Sequence, residues 1–188
     1  MTETDAVNQM LEVIGQLVPV DDAETSELLE AQRALVRLRQ VSKEVQEKGW
    51  SFNTETYKKF TPIEAGGLMT VGADVLKFDA ENRDIIQRGV KLFDRETNSS
   101  AYAGDILDVT IIRLLPFDEL PSPAQTYISI KAARQFQKRF VGSSEIDGFT
   151  QDDENDALVN LEQTEAEIGD YNYIYGNPQV VRVLRGGR

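Results

Sequence analysis

The sequence predicts an α+β fold: mainly a bundle of about four helices, with a small antiparallel β insert and an extended C-terminal arm. Apolar residues recur at three- and four-residue spacing in the first quarter of the chain and again in its last third. Short β-branched and aromatic runs separated by turn residues fill residues 50–115. We therefore expect a single domain, residues 1–170, that is helical at 1–49 and 122–170, followed by an arm at 171–188.

The two N-terminal helices are predicted from their apolar faces. The first runs from about Asp5 to Ile14, and Gly15 ends it. The second runs from about Ala23 to Lys48 and, at about 25 residues, would span close to 40 Å. Its repeating apolar residues are Leu28, Ala31, Leu35, Leu38, Val41 and Val45. A helix this long is typical of a scaffold.

The β insert is predicted from short strand-like runs between turn signals. Trp50, Phe52 and Thr54 alternate with polar residues directly after Gly49, which predicts a strand there. The predicted strands are residues 50–55, 75–78, 90–93 and 109–114. The pair Gly66-Gly67 lacks the strand and helix context, and the following Lys-Ser or Lys-Thr, of a phosphate-binding loop.

The third and fourth helices follow a proline-bounded acidic corner. Ser122 is the predicted cap of the third helix, Pro123 its first residue, and Gln125 gives a capping-box signature. Gly142 ends that helix, and the fourth runs from about Thr150 to Ile168. The third helix is basic, through Lys131, Arg134, Lys138 and Arg139. The inward residues of the fourth are Ala157, Leu158, Leu161 and Ile168.

The charge is strongly acidic and unevenly placed. The net charge is −12, and no Lys or Arg lies between Arg139 and Arg182. Stable binding to a nucleic-acid backbone needs clustered basic residues, so we do not expect it. One interpretation is a solvated acidic helix that lies against its basic neighbour. This is compatible with a role for the acidic residues in function.

Composition excludes several kinds of chemistry. The chain has 188 residues with no cysteine and no histidine. Disulfides and thiolate metal sites are therefore excluded, and the side chains most often used as metal ligand and general base are missing. No cofactor or metal is expected. The chain has no apolar run of about 18 residues and no secretory leader at its N-terminus, so neither membrane insertion nor export is expected.

A hydrolase that uses a carboxylate pair is the alternative function. Glycoside hydrolysis requires two carboxylates at a set separation, and neither histidine nor cysteine. Candidate pairs are Asp118 with Glu119 and Glu162 with Glu165, but 32 acidic residues make such pairs unavoidable. Capping of the third helix explains Asp118 and Glu119 more simply. We therefore expect that the chain is not an enzyme; a cellular helical scaffold is a third possibility.

Three segments in this order resemble one known family. They are Gly49-Trp50-Ser51-Phe52-Asn53-Thr54-Glu55, the strand, corner and basic helix of residues 109–145, and the acidic helix from Asp152 to Ile168. The pattern resembles the tail tubular protein A family of short-tailed podoviruses, the head-to-tail adaptor or gatekeeper. The resemblance implies a twelve-subunit ring in the virion tail, assembled in the host cytoplasm. The implied partners are the portal protein, the tail nozzle protein (tail tubular protein B) and the tail fibres, and DNA would pass without specific binding.

Two groups of site residues follow from this resemblance. The first would face the DNA channel through carboxylates at Asp118, Glu119, Asp152, Asp153 and Glu154. The second would bind a partner through the arm, at Tyr171, Tyr173, Tyr175, Arg182, Arg185 and Arg188. Tyrosines are enriched at interfaces, and these arginines are the first positive charges after Arg139. The alternative for the arm is a last strand docked on its own sheet, or a frayed terminus.

Overall fold

The fold is described for residues 1–140 and 151–176 in a computed structural model, with residue 140 and residues 169–176 described as backbone only. Within these ranges the fold is α+β, as predicted. The helices are α1 Glu3–Val13, α2 Leu29–Gln46, α3 Ser122–Phe140 and α4 Gln151–Gly176, with a 3₁₀ helix at Phe117–Glu119. The strands are β1 Thr54–Phe60, β2 Ile63–Ala65, β3 Leu68–Thr70, β4 Val75–Ala80, β5 Ile85–Arg88, β6 Lys91–Asp94 and β7 Ile106–Arg113. The prediction of a mainly helical bundle is not confirmed, because the strands form two antiparallel sheets beside the helices in the sequence.

The chain forms two compact units. One comprises Met1–Ser42 and the described residues from Phe117 onward, and the other comprises Lys43–Pro116. The second unit thus lies in the sequence between two parts of the first. In the first unit, α3 packs against both α1 and α4. No helix in the described ranges is long and apolar enough to cross a membrane.

Helix α1 begins earlier than predicted because Thr2 is its N-cap. The Thr2 hydroxyl accepts a hydrogen bond from the Asp5 backbone N–H at 3.1 Å, and the Thr2 N–H donates to the Asp5 carboxylate at 2.8 Å. This capping box holds the pKa of Asp5 below its usual value, mainly through the backbone hydrogen bond from Thr2. Of the predicted apolar face, Ala6, Val7, Met10 and Leu11 are buried, and Ile14, just after the end of α1, is half-buried.

Helix α2 is shorter than predicted, with 18 residues and a length of about 27 Å. The Asp22 carboxylate accepts hydrogen bonds from the Glu24 N–H and the Thr25 hydroxyl, both at 2.9 Å. The Ser26 hydroxyl accepts from the Leu28 N–H at 3.2 Å. Such local side-chain bonds compete with helical ones, which explains why residues 23–28 are not helical. The buried face is otherwise as predicted, with Ala34 in addition and Leu28 only half-buried.

Helices α3 and α4 differ from the prediction at their ends. The Gln125 side chain does not cap α3: its amide donates to the Phe117 carbonyl at 2.9 Å, and its oxygen accepts from the N-terminal amine at 3.2 Å. Ile168 was predicted to face inward, but it is 40% exposed. Helix α4 continues to Gly176. The prediction of an extended arm is therefore wrong for residues 171–176, which are helical. The predicted ends at Gly142 and Thr150, and residues 177–188, lie outside the described residues.

The second unit contains two sheets. The first has the order β1-β7-β4 and the second β2-β3-β6-β5, and all pairings are antiparallel. Their shared core comprises Met69, Val71, Val75, Phe78, Ala80, Ile85, Leu92, Ile106, Val109 and Ile111. Three predicted strands are confirmed with shifted ends, as β4, β6 and β7, whereas β2, β3 and β5 were not predicted.

The predicted strand at residues 50–55 is wrong over its first four residues. Asn53 is 2% exposed, and its side-chain oxygen accepts a hydrogen bond from the Trp50 N–H at 2.9 Å. Its amide donates to the carbonyls of Gln46 at 3.0 Å and Arg113 at 2.8 Å. These bonds fold residues 51–53 into a turn, and β1 starts at Thr54. Asparagine is typical of such turns because its side chain replaces backbone partners.

We expect Leu38→Ala to lower the free energy of unfolding by about 2–5 kcal/mol, because Leu38 is fully buried and alanine would leave a cavity. Val36→Ala, two residues away and 56% exposed, should change it by less than about 0.5 kcal/mol. Denaturant unfolding of both variants measures the difference. Equal midpoints for the two variants would contradict the assigned buried face of α2.

Candidate functional site

The candidate functional sites in the described ranges are surfaces that expose charged and apolar residues. Within residues 1–140 and 151–176, no group of three or more acidic side chains is placed to hold a metal ion. The function of these surfaces therefore depends on which charged and apolar residues they expose. We consider the acidic positions first, then an arginine-lined groove.

Asp118 and Glu119 lie on an acidic corner directly before α3. Both are exposed residues of the 3₁₀ helix and lie between the buried residues Phe117 and Leu120. The Leu120 N–H donates to the Phe117 carbonyl at 3.2 Å, and the Gln125 amide donates to the same carbonyl. The corner is thus fixed by its apolar neighbours, and its two carboxylates are presented to solvent.

The three acidic residues in the first turn of α4 are placed differently from one another. Asp152 and Asp153 are exposed. The Glu154 side chain is only 20% exposed and forms an ion pair with Arg134 of α3, whose side chain is 6% exposed. Arg134 also donates to the Gln151 side chain at 3.0 Å. Glu154 therefore holds α4 against the basic helix α3, and this contact confirms the interpretation of an acidic helix lying on a basic one.

The two acidic positions are separate. Ser122, at the start of α3, follows the acidic corner, and Arg134 on the same helix contacts the start of α4. The 12 residues between Ser122 and Arg134 correspond to about 18 Å along α3. Asp118 and Glu119 are thus not brought together with Asp152 and Asp153. A shared catalytic carboxylate pair between these positions is excluded by that separation.

A groove of about 530 Å³ lies along α2 and the end of α3. Its lining residues are Leu29, Gln32, Arg33, Val36, Arg37, Gln40, Phe136 and Arg139. The α2 residues follow helical spacing and form the face opposite the buried one. Leu29 and Val36 are 50% and 56% exposed. We call this the α2 groove; nothing in the sequence patterns singled it out, because only two of its apolar residues are exposed.

The α2 groove is basic on an acidic protein. Among the described residues, no carboxylate forms an ion pair with Arg33, Arg37 or Arg139. Arg37 donates to the Gln40 side chain at 3.1 Å, and its Nε is buried without a hydrogen-bond partner in the described part of the chain. Charged guanidinium groups favour carboxylate acceptors, so arginines without a carboxylate partner among the described residues suit an acidic partner surface.

In the second unit, Arg113 joins three strands of one sheet. Its guanidinium on β7 donates to Glu55 of β1 at 2.7 Å and also pairs with Asp74, next to β4. The pKa of Glu55 is lowered, first by a hydrogen bond from the Tyr57 hydroxyl and next by the one from Arg113. The pKa of Arg113 is raised, mainly by its hydrogen bond to Glu55. Sequence reasoning did not identify this cluster, because its members are far apart in the chain.

The predicted arm residues are only partly described. Tyr171, Tyr173 and Tyr175 lie on the helical backbone of α4, and nothing is described of their side chains. Arg182, Arg185 and Arg188 lie outside the described residues. The partner-binding prediction for these six residues stays a prediction.

Comparison with known proteins gives one family match. A model of the family described as "Tube: Tail tubular protein" matches residues 4–171, which include the second unit whole and most of the first. A search of curated proteins finds no match to the chain.

We expect Glu154→Gln to lower the free energy of unfolding by roughly 2–3 kcal/mol, because it leaves the charge of Arg134 buried without its counter-charge. Glu162→Gln is the matched control, since Glu162 is exposed on the same helix and should cost less than about 0.5 kcal/mol. Denaturant unfolding compares the two variants. Equal values would mean that the Arg134–Glu154 pair does not hold α4 in place.

Proposed function

Since the chain belongs to the tail tubular protein family and is a structural component of the virion tail, we propose that it is the head-to-tail adaptor. In this proposal, a twelve-subunit ring joins the portal protein to the tail nozzle protein and gives the tail fibres an attachment surface. The ring assembles in the host cytoplasm and continues the DNA channel. The family match over residues 4–171 is the observation that carries the proposal.

The exposed acidic residues suit a channel through which DNA moves. Asp118, Glu119, Asp152 and Asp153 are exposed, and the net charge is −12. Carboxylates repel the phosphate backbone, so a wall that carries them does not retain the polyanion that it passes. We assign Asp118, Glu119 and Asp153 to the channel-facing surface, whereas Asp152 lies with Asp156 on the outer face of α4. Glu154 is the weakest member of the predicted set, because it pairs with Arg134.

A ring also requires two different side faces, because head-to-tail cyclic contacts join unlike surfaces. The α2 groove is basic, while the outer face of α4 carries Asp152 and Asp156. One subunit thus presents two unlike charged helix faces. This supports an assembly of many copies over a monomeric role.

The carboxylate-pair hydrolase is not proposed. Of the candidate pairs, Asp118 and Glu119 are both exposed on the 3₁₀ helix, and Glu162 and Glu165 lie about one turn apart on α4. The family is structural, and this accounts for the chain without catalysis.

The segment from Tyr171 to Arg188 is proposed as the arm that binds the portal or a neighbouring subunit. Its first six residues continue α4, so the arm is helical at its start. Its aromatic residues provide area for an interface, and its three arginines can pair with acidic surface on a partner.

We expect the purified protein to form rings when mixed with portal, as measured by mass photometry with and without the portal protein. Because the net charge is −12 and exposed carboxylates repel phosphate, the same rings should not retain duplex DNA at about 50 mM salt. A protein that stays monomeric with portal would contradict the adaptor. Sub-micromolar DNA affinity would contradict only the acidic channel.

Ending the chain after Gly176 should weaken attachment to portal while leaving the thermal unfolding of the isolated subunit nearly unchanged. The physical reason is that the removed residues bind a partner rather than the core. A full-length variant with Arg182, Arg185 and Arg188 changed to alanine separates charge from length. Loss of the cooperative melt with attachment retained would instead identify a core strand.

A further inference from the structure

The α2 groove is built to receive a helix. Its α2 residues follow the spacing i, i+3, i+4, i+7, i+8 and i+11, which is how one helix presents a continuous stripe to another. Two exposed apolar residues, Leu29 and Val36, lie two turns apart on this stripe. Arg33 and Arg37 lie between and beside them, one turn apart. An occupant therefore needs one or two apolar residues and a pair of carboxylates at one-turn spacing.

The outer face of α4 has this pattern. Asp152, Asp156, Val159 and Gln163 follow the spacing i, i+4, i+7 and i+11, and they lie opposite the buried residues Ala157 and Leu161. Asp152 and Asp156 are exposed and one turn apart, and Val159 is 49% exposed.

The two faces do not meet within one subunit. No residue of α4 lines the α2 groove in the described part of the chain. Each face therefore remains available to a second copy. The contact would join unlike surfaces, which is the kind of contact that closes a ring.

We propose that the α2 groove binds the outer face of α4 from a second copy of this chain, with Arg33 and Arg37 facing Asp152 and Asp156. This rests on the proposed ring and names one contact between its subunits. Val159 packs near Leu29 and Val36, and the partner's carboxylates supply acceptors for the arginines. Arg139 at the end of the groove adds a third positive charge.

The test is a charge swap. The groove variant carries Arg33→Glu and Arg37→Glu, so that its groove and its α4 face are both acidic. The α4 variant carries Asp152→Lys and Asp156→Lys, so that its groove and its α4 face are both basic. Each variant alone repels itself at this contact, and we expect at least about tenfold less ring at a given concentration. An equimolar mixture lets the two variants alternate, so ring formation should return. Rescue by mixing distinguishes a contact from a folding defect.

Two matched controls separate the contact from net charge. Lys138→Glu changes an exposed charge next to Arg139 that does not line the groove, and Glu162→Lys changes an exposed charge on the flank of α4. Both should assemble as the wild type does. Neutral variants should weaken the ring less than charge reversal does; they are Arg33→Gln with Arg37→Gln, and Asp152→Asn with Asp156→Asn. If a reversed variant does not fold, the neutral variants repeat the test.

Mass photometry of wild type with and without portal comes first, because it separates the two proposals. If the wild type forms no ring, the adaptor and this contact both fail. If it forms rings and the reversed variants do so equally, or the mixture of folded variants gives no rescue, this contact alone is wrong.

A lower melting temperature of the groove variant with normal ring formation would assign the groove to the chain's own segment 141–150, which carries Glu145 and Asp147. DNA retention by wild type that the groove variant loses would assign it to nucleic acid. Both of these last results overturn the contact.

Discussion

The second unit depends on two buried polar side chains that join the points where the chain enters and leaves it. Gln46 is fully buried, donates to the Leu115 carbonyl at 3.1 Å and accepts from the Leu115 N–H at 2.8 Å. Asn53 bonds to both the Gln46 and the Arg113 carbonyls. A unit inserted between two parts of another must bring its own ends together, and these side chains do so while satisfying backbone groups that would otherwise be buried without partners.

This closure explains the Gly49–Glu55 motif better than a strand does. Gly49 has a φ of 78°, which strains a residue with a side chain, and a Cβ there would also lie 2.7 Å from the end of the Ile112 side chain, so glycine is favoured. The Trp50 indole donates to the Val45 carbonyl at 2.8 Å, which satisfies a carbonyl in the last turn of α2. Asn53 then forms the turn, and Glu55 binds Arg113 across β1 and β7. Gly49, Trp50, Asn53 and Glu55 thus link the last turn of α2 to strands β1 and β7.

The sequence predicted the elements whose signal is periodic and local. The buried face of α1, the strands β4, β6 and β7, and the contact of a basic with an acidic helix are examples. It did not predict β2 and β3, because three-residue strands carry too little pattern. It did not predict β5, in which two apolar residues precede two polar ones without alternation. The start of α2 and the turn at Asn53 were missed because side-chain hydrogen bonds override propensity there. The α2 groove was missed since it combines α2 with a distant part of α3.

The proposed contact between subunits also indicates how the work is divided among its residues. Exposed ion pairs contribute little affinity, and salt at physiological strength screens charges beyond about 8 Å. Arg33 and Arg37 would therefore select the partner face and its register, while burial of Leu29, Val36 and Val159 supplies most of the stabilisation. Since a single such contact is small, a stable ring would depend on many weak contacts closing together and on the portal. A basic groove on an acidic subunit favours this pairing, because the acidic surfaces of two copies repel one another.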